Sequence, residues 1–397
     1  MSSCVSARSP SVPVWVDGRN IGRRGGTGIA TYAQGLLDSL NAGGIGAACL
    51  LDHAPGQPSP PVGGMIRKLA RFAHALRPEM RMEDVFPPFC ADMYRIAHVR
   101  NATWGRQMAL RAAVPPTVMH WTSPLPLRLE GALNITTVHD LIPLTSPGLT
   151  GIDSRRFRAT LNTLFATMDI VATVSETTRQ EILAHFSLPA ERVVNLYQLV
   201  DIPAPVLPAI RQAAPVAEPG CFVVVGRVEA RKNIERLIAA HAQCGTRRAL
   251  VIIGPDGDDR PRCTTMGGAP VRRVQWCERL SLLRAIHDAH ALLLPSLAEG
   301  FGLPIVEAMA LGTPVLTSRS GATEEIAGGA ALLVDPTDTA DIARGMAALD
   351  SDDPNDPLRA RLIADGYERA DFFSAPRQGR RFVDFYRSLG VSGHERF

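Results

Sequence analysis

The sequence predicts an α/β protein of two Rossmann-like, doubly wound parallel-sheet domains facing a cleft, and three observations lead there. The chain has 397 residues, more than one hydrophobic core usually fills, so two domains of roughly 200 residues each are expected. Short apolar runs alternate with helix-length stretches in both halves, the rhythm of a parallel sheet with crossover helices. Between the halves, 201–220 carries prolines at 203, 205, 208, 215 and 219, too dense for a continuous helix or a central strand, and reads as the interdomain linker.

In the first half the apolar runs 14–16, 47–51, 118–120, 134–138 and 170–174 read as buried strands, and 30–40 as a helix behind a glycine-rich loop. The second half repeats the pattern with strands at 221–225, 249–253, 291–294, 314–317 and 331–334 and helices near 234–243, 280–288 and 304–311. Residues 52–64 and 350–357 read as loops. The late segment 378–389 is amphipathic, with Phe382, Phe385, Tyr386 and Leu389 at helical spacing, and is expected to dock back on the first domain. The expected division is therefore 1–205, 206–376 and a C-terminal helix in 377–397.

Lys plus Arg is 42 and Asp plus Glu 39, and the small net charge of +3 argues against a nucleic-acid protein. The seven cysteines are scattered without a Cys-x-x-Cys pair, which fits a reducing cytosol better than a disulfide framework or zinc knot. No apolar run approaches a membrane span, and 1–13 lacks an apolar signal core, so a soluble or peripheral protein is expected. The segment 66–77 places Ile66, Leu69, Ala73 and Leu76 on one face among basic groups; it suits either an anionic membrane surface or ordinary packing on the first domain.

The most informative stretch is Glu299-Gly300-Phe301-Gly302-Leu303-Pro304, with Glu307 a turn further on. Two glycines let backbone approach a ligand, Pro304 suits a first helical turn, and amides at 302–306 backed by the helix dipole suit a phosphate. Carboxylates beside a phosphate are unwelcome unless they accept from neutral hydroxyls, so Glu299 and Glu307 read as sugar or ribose ligands. A plain strand-to-helix turn with two surface glutamates would share this spacing.

After the strand 221–225, Gly226 allows a sharp exit, Asn233 is placed to cap the next helix, and Arg227, Arg231 and Lys232 hang over the sheet's carboxyl edge. Arg227 offers a fork and Lys232 a compact charge for a leaving diphosphate; a solvated basic turn is the alternative. The loop with Gly26 and Gly28 follows the first strand and could receive a phosphate or sugar on its amides, but with Thr31 at the third position it is not the dinucleotide fingerprint. His139 could bond a donor hydroxyl from a carboxyl strand end, and Asp140 could orient it or meet an acceptor. Asp256 and Asp258 have metal-ligand spacing but sit in a turn that favours Asp for other reasons, so no metal is assigned.

The ordered run from Ser296 through Glu307-Ala-Met-Ala to Gly312 and Pro314, with Gly226-Arg227, Arg231-Lys232-Asn233 and Thr137-Val-His139-Asp140, resembles family 4 of the retaining glycosyltransferases, which have the GT-B fold. The resemblance runs from about residue 14 to the C-terminal helix, weakest over 52–118. It implies that Arg227 and Lys232 bind the donor diphosphate, that Glu299 meets sugar hydroxyls, that Glu307 holds the ribose, that His139 lies by the sugar and that the Gly26–Gly28 loop nears the donor phosphate or acceptor. Phe301, Gly302 and Leu303, with Gly226, complete the expected donor site. It further implies front-face transfer of a hexose, with mannose slightly preferred, from a nucleoside diphosphate sugar (GDP-mannose or a UDP-hexose) to a saccharide or lipid-linked saccharide, without a required metal or cofactor, at the cytoplasmic membrane face. An epimerase or phosphorylase on the same plan, or a non-catalytic saccharide-binding protein, would share much of this pattern.

Overall fold

A computed structural model describes residues 12–21, 28–54, 64–257, 264–266 and 268–391. Two six-stranded parallel sheets dominate the described residues. The first runs in the order Ala47–Leu50, Val14–Asp17, Val118–Trp121, Leu133–Val138, Ile170–Thr173, Val193–Asn195. The second runs Val271–Val274, Leu250–Ile253, Phe222–Val225, Ala291–Leu294, Val315–Ser318, Leu332–Val334. Numbered within its own half, that is the doubly wound order 3-2-1-4-5-6.

The sequence dictates this arrangement because Phe222–Val225, Leu250–Ile253 and Ala291–Leu294 are apolar throughout and buried at every position. Strands of that kind are stable only with helices over both faces. The edge strand Val271–Val274 carries Arg272 and Arg273 and is half-buried, and it was not anticipated as a strand. A small parallel sheet of Glu79–Arg81, Met108–Arg111 and Leu127–Leu129, also unanticipated, lies beside the first large one.

The proline-dense segment contains a 3-10 turn, Ala204–Val206, and a short α-helix, Leu207–Gln212, with Pro208 in its first turn where the missing N–H costs nothing. The helix Ala375–Ser388 packs on Gly28–Ala42 of the first half and buries Phe382 and Tyr386. Most of 66–77 lies in the helix Met65–Ala75, which packs on Met93–Trp104, burying Arg71 and Ala75 and setting Phe72 against Trp104 at 5.5 Å, and leaves Ile66 84% and Leu69 63% exposed. Among the described residues, the apolar face expected to meet either a membrane or the first domain is thus left exposed. Among the described residues no helix is long and apolar enough to cross a membrane.

Candidate active site

In an open α/β sheet, ligands bind outside the carboxyl ends of the strands where the strand order reverses. In the second sheet that point lies between Phe222–Val225 and Ala291–Leu294, so the segments following them, 226–233 and 295–302, face each other. Gly226 leaves its strand at φ +136°, and a Cβ there would stand 3.3 Å from the Lys232 Nζ, so only glycine lets the lysine fold back beneath the strand end. A short 3-10 turn, Ala230–Lys232, then aims both of its cations at Glu299. Arg231 Nη1 donates to Glu299 Oε2 at 2.7 Å and Arg231 Nε to Glu229 Oε2 at 2.8 Å, while Lys232 Nζ donates to Glu299 Oε1.

Asn233 was expected to cap the next helix. It stands at the N-cap of Ile234–Cys244, but its side chain donates instead to the carbonyls of Pro295 (2.9 Å) and Pro336 (2.7 Å) and makes no cap bond. The first of these bonds fastens the basic loop to the strand end that delivers Glu299, the second to the end of Leu332–Val334.

The side chains of Lys232 and Glu299 are only 7% and 8% exposed. Burial alone would favour a neutral Glu299, but the Lys232 and Arg231 charges outweigh it and hold the carboxyl below its usual range. Glu299 is therefore an anion held between two cations rather than a carboxylate awaiting neutral hydroxyls alone. Arg227, expected to grip the diphosphate from the same loop, has a side chain 50% exposed and pairs with Glu229 at 3.4 Å. The inner position belongs to Arg231, a cation that the spacing could not rank above Arg227.

The loop after Glu299 meets the first half directly. A Cβ on Gly300 would stand 2.1 Å from the His139 carbonyl oxygen and 3.1 Å from the Asp140 Cβ, so glycine is what permits the approach. Gly28 faces Leu303 across the same boundary, its absent Cβ lying 3.1 Å from Leu303 Cδ1. Gly26 lies outside the described residues, as does Asp258. Asp256 accepts from Arg273 Nη2 at 3.0 Å.

His139 Nε2 donates to the Thr122 carbonyl at 2.8 Å, which leaves Nδ1 as the acceptor of the ring. Its imidazole lies edge-on to Tyr32 at 5.3 Å. Enclosure by protein pushes its pKa down to about 4, against a small rise from the Thr122 bond, so the ring is neutral at physiological pH. Asp140 accepts from the Ile142 amide at 3.1 Å. Burial raises its pKa, against lowering by that bond and by Arg231 across the boundary.

Gly302 is the N-cap of Leu303–Ala310, with Pro304 in the first turn. Of the amides expected to be free there, Pro304 has none and that of Ile305 donates to the Gly302 carbonyl at 2.9 Å. Phe301 is buried with its ring against Phe373 at 5.4 Å, so its side chain belongs to the core and only its backbone can serve a ligand. Glu307, also buried, accepts from Arg279 Nη2 at 2.6 Å, a partner that sequence spacing did not suggest. Among the described residues no three His, Cys, Asp or Glu side chains stand together as a metal site.

Two doubly wound sheets, with cations and carboxylates at the switch point of the second and a histidine from the first, define a two-domain glycosyltransferase of the GT-B type. A profile described as glycosyl transferases group 1 matches residues 208–369. O-antigen chain mannosyltransferase B of Escherichia coli is 31% identical over 320 residues, covering 76% of this chain and 81% of that protein. The chain belongs to this glycosyltransferase family, whose members use nucleotide-sugar donors. Two solved structures share the fold: sucrose-phosphate synthase from Thermosynechococcus elongatus (TM-score 0.63, 19% identity, 95% of this chain and 99% of that one) and Anabaena Alr3699/HepE in complex with UDP-glucose (TM-score 0.62, 15% identity, 94% and 99%).

Proposed function

We propose that this enzyme transfers mannose, with retention, from GDP-mannose to a hydroxyl of a saccharide carried on a lipid, in the synthesis of a cell-surface polysaccharide. The observation that carries the reading is the buried Lys232–Glu299–Arg231 cluster, with Gly300, the residue after Glu299, lying so close to the His139 carbonyl that a Cβ there would stand 2.1 Å from it. A nucleoside diphosphate entering between the halves would take Lys232 and Arg231 as its cations, with Arg227 reaching in from the rim and the Gly302 and Leu303 amides completing the cradle. That exchange frees lone pairs on Glu299 for sugar hydroxyls, and the bare Nδ1 of His139 accepts another. Glu307 takes the ribose. The loop that carries Gly26 and Gly28 is assigned to the phosphate or the acceptor from its sequence, and the first domain, 1–205, holds the acceptor against the donor domain, 206–376.

The chemistry asks above all for stabilisation of the departing diphosphate, which these fixed charges supply without reorganisation, while closure of the halves excludes water that would hydrolyse the donor. No metal has a part in this scheme. The preference for mannose rests on the relatives, among them the O-antigen chain mannosyltransferase B named above. The exposed stripe of Met65–Ala75, with Arg67 and Lys68 on the same helix, suits contact with the anionic inner face of the cell membrane, where a lipid-borne acceptor resides.

The test is a thermal-shift comparison of UDP, GDP, TDP and ADP sugars, because a ligand that binds the folded state raises the midpoint. GDP-mannose giving the largest shift, followed by transfer of labelled mannose to a saccharide with release of GDP, is the expected result. A larger shift with a UDP-hexose would overturn the donor assignment, and release of mannose 1-phosphate would overturn the reaction.

A further inference from the structure

Behind His139 lies a line of buried polar groups contributed by distant parts of the chain. The Tyr386 hydroxyl, on the helix Ala375–Ser388, meets His120 Nδ1; His120 Nε2 meets Thr137 Oγ1 at 2.7 Å; and Thr137 Oγ1 donates to Tyr32 Oη at 3.1 Å. Tyr32 in turn sets its ring edge-on to His139 at 5.3 Å and to Phe382 at 6.3 Å. Tyr32, His120, Thr137 and Tyr386 are all essentially inaccessible.

The direction of the Thr137–Tyr32 bond sets the other donors. Thr137 has one hydroxyl hydrogen, given to Tyr32, so His120 Nε2 must carry a hydrogen and donate it to Thr137. Its Nδ1 is then bare and accepts from the Tyr386 hydroxyl. This needs a neutral imidazole, and burial pushes the pKa of His120 down to about 3. A buried hydrogen-bonded chain of this kind restrains its members, whereas one missing hydroxyl leaves a partner unpaired in an apolar setting.

We infer that Tyr386, acting through His120, Thr137 and Tyr32, is a positioning residue for His139, so that the C-terminal helix forms part of the active-site framework and not only a brace between the halves. The inference rests on the reading that His139 lies at the donor sugar. Its expected signature is a loss in turnover with little change in donor affinity, because misplacing a catalytic group by a fraction of an ångström raises the barrier more than it weakens binding.

The experiment uses the full chain with 15N-labelled histidine, His139→Asn and His120→Asn to assign ring signals, and GDP-mannose as donor with GDP release as the readout. Tyr386→Phe, which deletes one oxygen, is expected to move the His139 ring resonances and to lower kcat about tenfold with KM within about twofold. In a His139→Asn background the same substitution should change kcat by less than about twofold, since a cycle isolates the coupling. Val383→Ala, on the same helix and outside the chain, lowers the melting midpoint but leaves the resonances and kcat in place. Unmoved His139 resonances in Tyr386→Phe, an equal loss of kcat in both backgrounds, or an equal effect from Val383→Ala would each overturn the inference. If wild-type protein does not consume GDP-mannose, the donor assignment fails while the resonances still decide the positioning role.

Discussion

Replacing Lys232 by methionine keeps the buried stem and deletes the ammonium that bonds Glu299. Breaking a buried pair costs about 3–5 kcal/mol when the remaining charge is left alone. Glu299 keeps Arg231 at 2.7 Å, so the expected loss of stability is smaller, about 1–3 kcal/mol. Nucleotide binding should suffer in parallel, because a bond from a cation to a phosphate contributes about 1.5–3 kcal/mol, or about 10- to 150-fold in Kd. Calorimetric titration of GDP at a temperature where both proteins are folded measures this. Glu299→Gln should behave oppositely: it removes the competitor for Lys232 and so keeps GDP affinity at or above wild type, while losing sugar transfer. If Lys232→Met binds GDP within twofold of wild type and is merely less stable, the lysine is only a structural partner of Glu299 and the reasoning fails.

Gly300→Ala, whose Cβ would lie 2.1 Å from the His139 carbonyl, should push the halves apart and cut turnover about 100-fold while GDP binding persists; unchanged turnover would refute the close approach. His120 and His139 have pKa values lowered by burial to about 3 and about 4, so the unfolded chain, near 6.5, binds their protons more readily. The stability that this contributes is present above about pH 6.5 and is lost as the pH falls toward 4, at up to about 1.4 kcal/mol per pH unit per histidine, and denaturant midpoints of His139→Asn should fall less steeply over that window. Ile66→Glu with Leu69→Glu alters residues that are 84% and 63% exposed, so the melting midpoint should hold while sedimentation with vesicles of phosphatidylglycerol is lost; retained binding would remove this helix from the membrane contact.

Most of the fold could be read because its strands are buried on both faces and so appear as uninterrupted apolar runs: 291–294 was anticipated to the residue and 134–138 to within one. Val271–Val274 escaped because an edge strand is only partly covered, and its two arginines erase the pattern. The three strands of the small sheet are short and lie mostly where the family resemblance was weakest. In the site, Lys232, Glu299 and Gly300 were legible because the basic turn and glycine loop are each local in sequence. The choice between Arg227 and Arg231 was not, since it depends on how a 3-10 turn rotates neighbouring side chains. Asn233 shows a similar limit: its residue type suits a cap, but the carbonyls of Pro295 and Pro336, from other loops, claim its amide. The support behind His139 joins residues as far as 266 positions apart, and no spacing rule reaches that distance.

On this reading the crevice between the two halves grips a diphosphate on Lys232, Arg231 and the amides that open the helix Leu303–Ala310. A crystal structure with GDP bound tests it most directly. Phosphate oxygens are expected within hydrogen-bond distance of Lys232 Nζ and the Gly302 amide, with Glu299 turned away from the lysine. Nucleotide bound elsewhere, with the Lys232–Glu299 pair intact, would contradict it.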